Sequence, residues 1–175
     1  MITSEVRSGN LFDSQFDTFV CPVNTVGAMG KGLALEFKTR YPALYDAYRA
    51  FCFNGGFELH GLFVYNVTPR LKVLCIPTKH HFKDSSQLEW IDTALRTLSR
   101  GYNWYDIHSI AMPPIGCGLG NLNWDDVYPL IKKYFAQHPV GAHGAPGGSG
   151  AGRAVPGERP GQLDHRADAG GGRQA

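Results

Sequence analysis

Short β-branched or aromatic runs alternate with helical apolar patterns along this sequence, and the alternation restricts its fold more than any other feature. Strands separated by helices are typical of an α/β fold, with a mixed or largely parallel sheet between helical layers. The runs that predict strands are residues 19–21, 62–65, 73–76 and 107–112, with a shorter run at 5–7. Because such sheets bind ligands beyond the carboxyl ends of their strands, we expect the functional site there.

Three stretches carry the apolar spacing of amphipathic helices. One covers residues 44–51. A second follows Ser86 and Glu89, which form a capping-box pattern before apolar residues spaced along one face. The third begins after Asn123, whose side chain is suited to cap it.

The composition changes abruptly near His138. Residues 139–175 hold 11 of the 22 glycines and no Phe, Tyr or Trp. A segment with so little to bury does not offset its ordering entropy, so we expect one folded domain at 1–138 and a Gly/Pro-rich disordered tail at 139–175. A linker and a degraded downstream region are both open interpretations of this tail.

The net charge of +2 is too small for a bulk affinity for nucleic acid, so any such contact is expected to be local. No apolar run approaches the ~18 residues of a membrane helix, and the chain opens without a basic-then-apolar signal. Its four cysteines lack the spacing of a metal site. We therefore expect a soluble, cytoplasmic protein without membrane contacts.

A glycine-rich loop follows the first of the longer predicted strands and leads directly into a helical pattern. Its residues are Asn24, Thr25, Val26, Gly27, Ala28, Met29, Gly30, Lys31 and Gly32. Exposed backbone N–H groups and a helix dipole suit a phosphate group. The loop has neither the Walker spacing nor the dinucleotide fingerprint, and a plain strand-to-helix turn is the alternative interpretation.

A second loop of the same construction follows the run at 107–112. Its residues are Ile115, Gly116, Cys117, Gly118, Leu119, Gly120 and Asn121. Its closely spaced glycines let the backbone wrap around a ligand, so two such loops could hold a diphosphate from both sides, with Asn24 bonding a sugar hydroxyl. Since no motif supplies a base for Cys117, we interpret it as a small packed residue rather than a nucleophile.

The two loops, Asn24 to Gly32 and the stretch at 114–124, resemble the ligand loops of macrodomains. Within that family they look like the branch of the DarG-type DNA ADP-ribose glycohydrolase antitoxins and the related glutamate-ADP-ribose hydrolases. The similarity covers nearly all of residues 1–138. It implies a three-layer α/β sandwich with a mixed, mostly parallel sheet, ADP-ribose in a crevice at the strand ends, and neither metal nor cofactor.

Lys79 ends the apolar run that begins at Leu71, in the order Pro77, Thr78, Lys79. The resemblance makes Lys79 the equivalent of the branch's catalytic lysine and adds Thr78 to the ADP-ribose site. An amine in a partly desolvated pocket can attack the anomeric carbon of a ribose and expel the modified group. A surface lysine, or one that binds phosphate as a point charge, remains the alternative.

Two positions depart from the family pattern. Asn10 and Leu11 follow Gly9 where macrodomains commonly carry Gly-Asp, whose carboxylate accepts from the adenine amino group. Asn10 can accept without the charge, so we assign Asn10 and Leu11 to the ADP-ribose site and expect weaker adenine selectivity. Gly120 replaces the proton-transferring aspartate of the glutamate-directed relatives, which favours the DNA-directed branch and leaves the general acid or base unassigned.

A DNA substrate would need contacts that flank the crevice. Candidates for phosphate contacts are His80, His81, Lys83, Arg70 and Lys72, and candidates for base stacking are Phe82 and Trp90. A solvated edge is the alternative interpretation of this cluster.

The resemblance implies an N-glycosidic ADP-ribosyl-DNA glycohydrolase of antitoxin type, with thymine as the expected base and single-stranded DNA as the expected substrate. The implied partners are ADP-ribose, ADP-ribosylated DNA and a cognate ADP-ribosyltransferase toxin. Two alternatives are a reader module without turnover and a hydrolase of ADP-ribose phosphate or O-acetyl-ADP-ribose. Because nothing after His138 resembles the toxin-contacting domain of full antitoxins, direct toxin binding stays open.

Overall fold

The computed structural model describes residues 6–135, and of residues 59 and 60 only the backbone. A short 3-10 turn at Leu11–Asp13 precedes four strands and five helices in this range. The strands are β1 (Thr18–Asn24), β2 (Phe63–Thr68), β3 (Leu71–Lys79) and β4 (Ile110–Ala111), and the helices are α1 (Gly32–Arg40), α2 (Pro42–Phe53), α3 (Gly56–His60), α4 (Leu88–Gly101) and α5 (Trp124–Phe135). The predicted domain end at His138 and the predicted tail at 139–175 lie outside the described residues.

The four strands form one mixed sheet in the order β2-β3-β1-β4. Strand β1 runs parallel to β3 and β4, whereas β2 runs antiparallel to β3. The β1–β3 ladder begins with Thr18 opposite Lys72 and ends with Asn24 opposite Lys79, after a register shift between Val23 and Asn24. The carboxyl ends of β1 and β3 therefore finish side by side, at the edge where parallel sheets bind ligands.

Successive side chains of the central strands point to opposite faces of the sheet and divide the core in two. Phe19, Cys21 and Cys75 pack with apolar residues of α1, α2 and α3. Val20 and Leu74 pack on the other face with apolar residues of α4 and α5. Both faces of the sheet are thus covered by helices, which confirms the predicted three-layer α/β sandwich with a mixed sheet.

The strand predicted at 107–112 is wrong in extent, because only Ile110–Ala111 pairs with β1. The backbone N–H groups of His108 and Ser109 instead donate to the Asp17 carboxylate, at 3.0 and 3.2 Å. The strand predicted at 5–7 is also wrong in its described part, since residues 6 and 7 lie outside any strand. Residue 5 lies outside the described range.

The capping box predicted for Ser86 is wrong, although the helix after it is present. Helix α4 begins after Gln87, and the Ser86 hydroxyl donates to Thr78 Oγ1 at 3.0 Å because Ser86 is buried against the end of β3. Asn123 caps α5 as predicted, accepting from the backbone N–H of Asp125 at 3.1 Å. The sequence pattern did not predict helix α3. No helix within residues 6–135 has the length and apolar character to cross a membrane.

Candidate functional site

Lys79 is the last residue of β3 and lies where three loops meet. Its side chain is nearly buried, with 9% of the residue surface exposed. The amine donates to the backbone carbonyl of Asp84 at 2.7 Å and to that of Leu119 at 3.3 Å. These two bonds connect the turn after β3 with the second glycine loop, and they hold the amine at the carboxyl edge of the sheet.

The first loop is organised by the buried side chain of Asn24. Its Oδ1 accepts from the backbone N–H groups of Val26 and Ala28 at 3.2 and 3.1 Å, and its Nδ2 donates to the Ala28 carbonyl at 2.7 Å. Asn24 therefore holds the loop in shape. The contact between Asn24 and a sugar hydroxyl stays a prediction. The Asn24 amide would have to make it in addition to its three hydrogen bonds within the loop.

Tyr48 of α2 supports the same loop from below. Its hydroxyl donates to the Asn24 carbonyl at 2.6 Å and lies 3.1 Å from Asn24 Oδ1. Burial raises the pKa of the Tyr48 phenol far above its ordinary value, so the group remains a donor. The sequence pattern placed Tyr48 only on the apolar face of a helix and did not predict its hydrogen bonds to Asn24. The hydroxyl on this otherwise apolar face was the only sequence feature that could have indicated them.

The two loops meet at Gly32 and Leu119. A side-chain carbon at Gly32 would come within 3.2 Å of Leu119 Cδ1, and Gly32 has a positive φ of 58°. Gly30, Lys31 and Gly32 are exposed, as are Gly118 and Leu119 across from them. The structure therefore brings together the exposed parts of the two predicted ligand loops.

Other predicted site residues are buried and offer a ligand no side chain. Met29 is 1% exposed and packs in the core beneath α1 and α2, and Ile115 is fully buried on the other face. The Thr78 hydroxyl is buried and accepts from Ser86. For Met29, Ile115 and Thr78 the prediction of ligand contact is thus restricted to main-chain atoms.

The second loop is closed by its own backbone. The Gly116 carbonyl accepts from the N–H of Leu122 at 2.9 Å, and the Gly118 carbonyl accepts from that of Asn121 at 3.1 Å. Gly116 and Asn121 have positive φ values of 75° and 62°. The resulting tight turn leaves Gly118 open, since a side-chain carbon added there would meet no atom within 4 Å, so a ligand can approach the backbone at this point.

Cys117 fits its interpretation as a packed residue. It is half-buried, and its Sγ lies 3.5 Å from the Ile115 carbonyl. Burial raises the pKa of the Cys117 thiol, so the nucleophilic thiolate is disfavoured at neutral pH.

Asn10 and Leu11 belong to the 3-10 turn that precedes β1. The Asn10 Oδ1 accepts from the Phe12 N–H at 3.0 Å and so caps this turn. Leu11 packs partly against the core beneath α1. The adenine contact expected of Asn10 stays a prediction. For this contact Asn10 Oδ1 would have to accept from the adenine amino group as well as from the Phe12 N–H.

Three of the predicted nucleic-acid residues lie in the turn after Lys79. His80 Nδ1 and Thr25 Oγ1 share a hydrogen bond of 2.6 Å, and the Thr25 N–H donates to the His80 carbonyl at 3.0 Å. The His81 ring stacks on Phe82 with centroids 4.1 Å apart, and the Lys83 ammonium lies 6.0 Å from the Phe82 ring. This turn presents one ammonium group, two imidazole rings and one phenyl ring beside Lys79.

Arg70 and Lys72 do not belong to this site. Arg70 directly precedes β3 and Lys72 is its second residue, so both lie at the opposite end of the strand from Lys79. The Lys72 ammonium donates to the Asp106 carbonyl at 2.9 Å instead. The prediction that they flank the crevice is wrong, because a strand of this length separates its two ends by roughly 25 Å.

The comparisons with known proteins agree with this geometry. The family described as Macro domain matches residues 20–131. A DNA ADP-ribosyl glycohydrolase of Mycobacterium tuberculosis (strain ATCC 25618 / H37Rv) is 39% identical over 136 residues, which cover 75% of this chain and 38% of that relative. The chain therefore spans well under half the length of this curated relative.

Two solved structures extend the similarity to three dimensions. The macrodomain of Mycobacterium tuberculosis DarG superposes with a TM-score of 0.71 at 37% identity, covering 75% of this chain and 88% of that one. Thermosipho africanus DarTG in complex with ADP-ribose superposes with a TM-score of 0.69 at 34% identity, covering 73% and 37%. The family match, the superpositions and the three-layer fold together show that the chain belongs to the macrodomain family.

Proposed function

We propose that this macrodomain is an ADP-ribosyl glycohydrolase that removes ADP-ribose from modified DNA bases, with thymine as the base and Lys79 as the nucleophile. The observation that carries the proposal is the position of the Lys79 amine. It lies at the strand end between the two glycine loops, bonded to the carbonyls of Asp84 and Leu119. With two N–H groups of the amine donated to these carbonyls, its remaining tetrahedral position is left for the substrate and holds the lone pair of the nucleophile.

Besides the substrate, the proposed reaction needs only the Lys79 amine and one water molecule. The lone pair of the Lys79 amine attacks the anomeric carbon of the distal ribose, and the bond to the base breaks with its electron pair leaving on the base. One amine proton passes to the base and the second passes to the ring oxygen, so that the ribose ring opens to give a Schiff base. Water then adds to the imine carbon, which releases ADP-ribose and restores the amine.

The ADP-ribose itself would lie between the exposed parts of the two loops. Gly30, Lys31 and Gly32 lead into the N-terminus of α1, where N–H groups and the helix dipole favour a diphosphate. Gly118 and Leu119 would cover its other side. This arrangement would direct the distal ribose toward Lys79.

Two observations support DNA as the molecule to which the ADP-ribose is attached. The relative from Mycobacterium tuberculosis carries the name DNA ADP-ribosyl glycohydrolase. The turn after Lys79 offers His80, His81 and Lys83, which are suited to phosphate contacts on a single strand. An ADP-ribosyltransferase toxin is the partner that this function implies, although this chain covers 38% of that relative.

A reader module without turnover is the second candidate. One observation keeps it open, namely that with Gly120 in the second loop no carboxylate there can move a proton, so the general acid or base is unassigned. In that case the Lys79 amine would be a ligand contact only.

The test compares two lysines of one strand. Lys72 is as buried as Lys79, at 9% exposed, and also donates to a backbone carbonyl. Lys79→Met and Lys72→Met therefore remove matched amines while keeping the apolar stem. An oligonucleotide carrying one ADP-ribosylated thymine is incubated with each protein and its mass is followed, and borohydride is added in a parallel reaction to trap the Schiff base.

We expect wild type and Lys72→Met to release ADP-ribose and Lys79→Met to release none, with the trapped adduct on Lys79. Undiminished release by Lys79→Met would overturn the lysine mechanism. Binding of ADP-ribose without any release by wild type would favour the reader module. Release from ADP-ribose phosphate or O-acetyl-ADP-ribose, but not from the oligonucleotide, would identify a hydrolase of free metabolites.

A further inference from the structure

A groove of about 560 Å³ separates the first glycine loop from the C-terminal half of α2. Thr25 and Val26 line one side, and Arg49 and Phe53 line the other. Pockets for drug-sized ligands commonly have roughly 300–1,000 Å³, so a nucleotide fits this volume.

The groove opens directly beside the reactive end of β3. Thr25 follows Asn24, which pairs with Lys79 across the β1–β3 ladder. The Thr25 N–H donates to the His80 carbonyl at 3.0 Å. The Lys79 amine bonds to Leu119 on the other side of the crevice. A DNA strand whose modified base reaches Lys79 can therefore continue past Thr25 into the groove.

Phe53 is the most exposed large hydrophobic side chain within the described residues, at 92%. It is the last residue of α2 and stands at the rim of the groove. An aromatic ring that contributes almost nothing to the core is suited to stack a base, because every base offers a π-face. The exposed Val26 lies on the facing wall.

Arg49 supplies a cation in the same groove. Its stem packs against Gly27 of the first loop, and its guanidinium lies 5.6 Å from the Tyr45 ring. A guanidinium is suited to bidentate bonds with phosphate oxygens. Asp46, one helical turn earlier, accepts hydrogen bonds only, and so suits the amino group of a base rather than a phosphate.

Cys52 also lines the groove, and burial raises the pKa of its thiol to about 11. The thiol is therefore protonated at neutral pH and presents a small, apolar surface. An aromatic ring, one guanidinium, one carboxylate and a neutral thiol together match a nucleotide, with its base and its phosphate, better than they match a purely apolar ligand.

We propose that this groove binds the nucleotide next to the ADP-ribosylated base of a single DNA strand, with Phe53 stacking on its base and Arg49 contacting its phosphate. The inference rests on the proposed function, since it specifies how that substrate lies on the protein. It also explains how a chain with a net charge of only +2 holds DNA through local contacts.

The test compares two substrates that differ in whether this neighbour exists. One is an oligonucleotide with a single ADP-ribosylated thymine, and the other is ADP-ribosylated thymidine. We expect Phe53→Ala to raise KM about tenfold for the oligonucleotide, the effect of losing one base stack, and to leave KM for the nucleoside as it was. Arg49→Gln should also raise KM for the oligonucleotide and reduce its dependence on salt.

Trp104→Ala is the matched control. Trp104 is also strongly exposed, at 64%, but it follows α4 at the far end of the molecule, so its loss should change neither KM. An unchanged oligonucleotide KM in Phe53→Ala, with wild-type turnover intact, overturns this inference and leaves the proposed function standing. If KM for the oligonucleotide rises in Phe82→Ala but not in Phe53→Ala, the inference is overturned, and the DNA instead passes over the turn after Lys79. No turnover of either substrate by wild type overturns the proposed function itself.

Discussion

Gly120 lies directly against Ser86, so that a side-chain carbon at position 120 would collide with the Ser86 hydroxyl and with the Gly116 carbonyl. The Ser86 N–H donates to the Gly120 carbonyl at 2.9 Å, which fixes the second loop on the start of α4. Position 120, where the resemblance to the glutamate-directed relatives implies a proton-transferring aspartate, therefore has no room for one here. In the proposed reaction, the proton transfers therefore have to be carried by another group or by water.

Gly120→Ala should destabilise the protein. The methyl group would meet the Gly116 carbonyl, which is backbone and cannot rotate away, so we expect a loss of about 1–3 kcal/mol in the free energy of unfolding. Chemical denaturation measures this loss. Gly118→Ala is the control, because its side chain would enter open space, and an equal loss in both variants would show that the collision is not the cause.

Gly30→Ala and Gly118→Ala should weaken ADP-ribose binding without lowering stability. Neither glycine has a φ in the left-handed region, and nothing lies within 4 Å of the added carbon in either loop. If a diphosphate lies against these backbones, the methyl groups occupy ligand space. Titration calorimetry with ADP-ribose measures the affinity, and a scan of thermal unfolding checks stability. Wild-type affinity in both variants would place the ligand elsewhere.

The parts of the site that depend on local patterns were predictable from the sequence. The two glycine loops and Lys79 each follow an apolar run, and strand ends of a parallel sheet meet at one edge. The α/β fold followed from the alternation of strands and helices in the same way, and the resemblance to macrodomains added the three-layer arrangement. The position of Lys79 after an apolar run was enough to place it at the same edge of the sheet as the loops, whereas its role as the catalytic lysine came from the resemblance and stays a proposal.

Contacts between residues distant in sequence could not be predicted. The short extent of β4 depends on Asp17, whose carboxylate takes N–H groups more than 90 positions along the chain. Ser86 matched a capping pattern, but burial gave its hydroxyl to Thr78. Such outcomes depend on which polar groups become buried together, and a linear pattern does not contain that information.

Tyr48→Phe should loosen the first loop. The phenol of Tyr48 is fully buried, and its loss leaves the Asn24 carbonyl without its donor, which we expect to lower the free energy of unfolding by about 1–2 kcal/mol. Because Asn24 holds the loop, ADP-ribose affinity should fall as well.

Tyr45→Phe on the same helix is the control for this variant. Its hydroxyl makes no hydrogen bond to any residue of the described range, so the substitution should change neither quantity. Unfolding by urea and titration with ADP-ribose measure both. If Tyr48→Phe behaved like Tyr45→Phe, the hydroxyl would not be what holds the loop.

Asp17 should make the stability of the protein depend on pH below about pH 4. Partial burial acts to raise the pKa of its carboxyl, but hydrogen bonds from the Thr18 hydroxyl and from the N–H groups of Ser109 and His108 outweigh this and hold the pKa below its ordinary value of 3.8. A group whose folded-state pKa is depressed stabilises the fold above its unfolded pKa and loses that contribution as pH falls through the folded one.

Asp17→Asn should therefore cost about 2 kcal/mol at pH 7, where the carboxylate accepts these bonds, and progressively less as the pH falls below 4. Urea unfolding of both proteins between pH 3 and pH 7 measures the difference. Asp13→Asn serves as a control, because Asp13 is exposed and lies in the 3-10 turn away from β4. A difference between wild type and Asp17→Asn that stays constant down to pH 3 would mean that the carboxylate is not what joins β1 to the segment before β4.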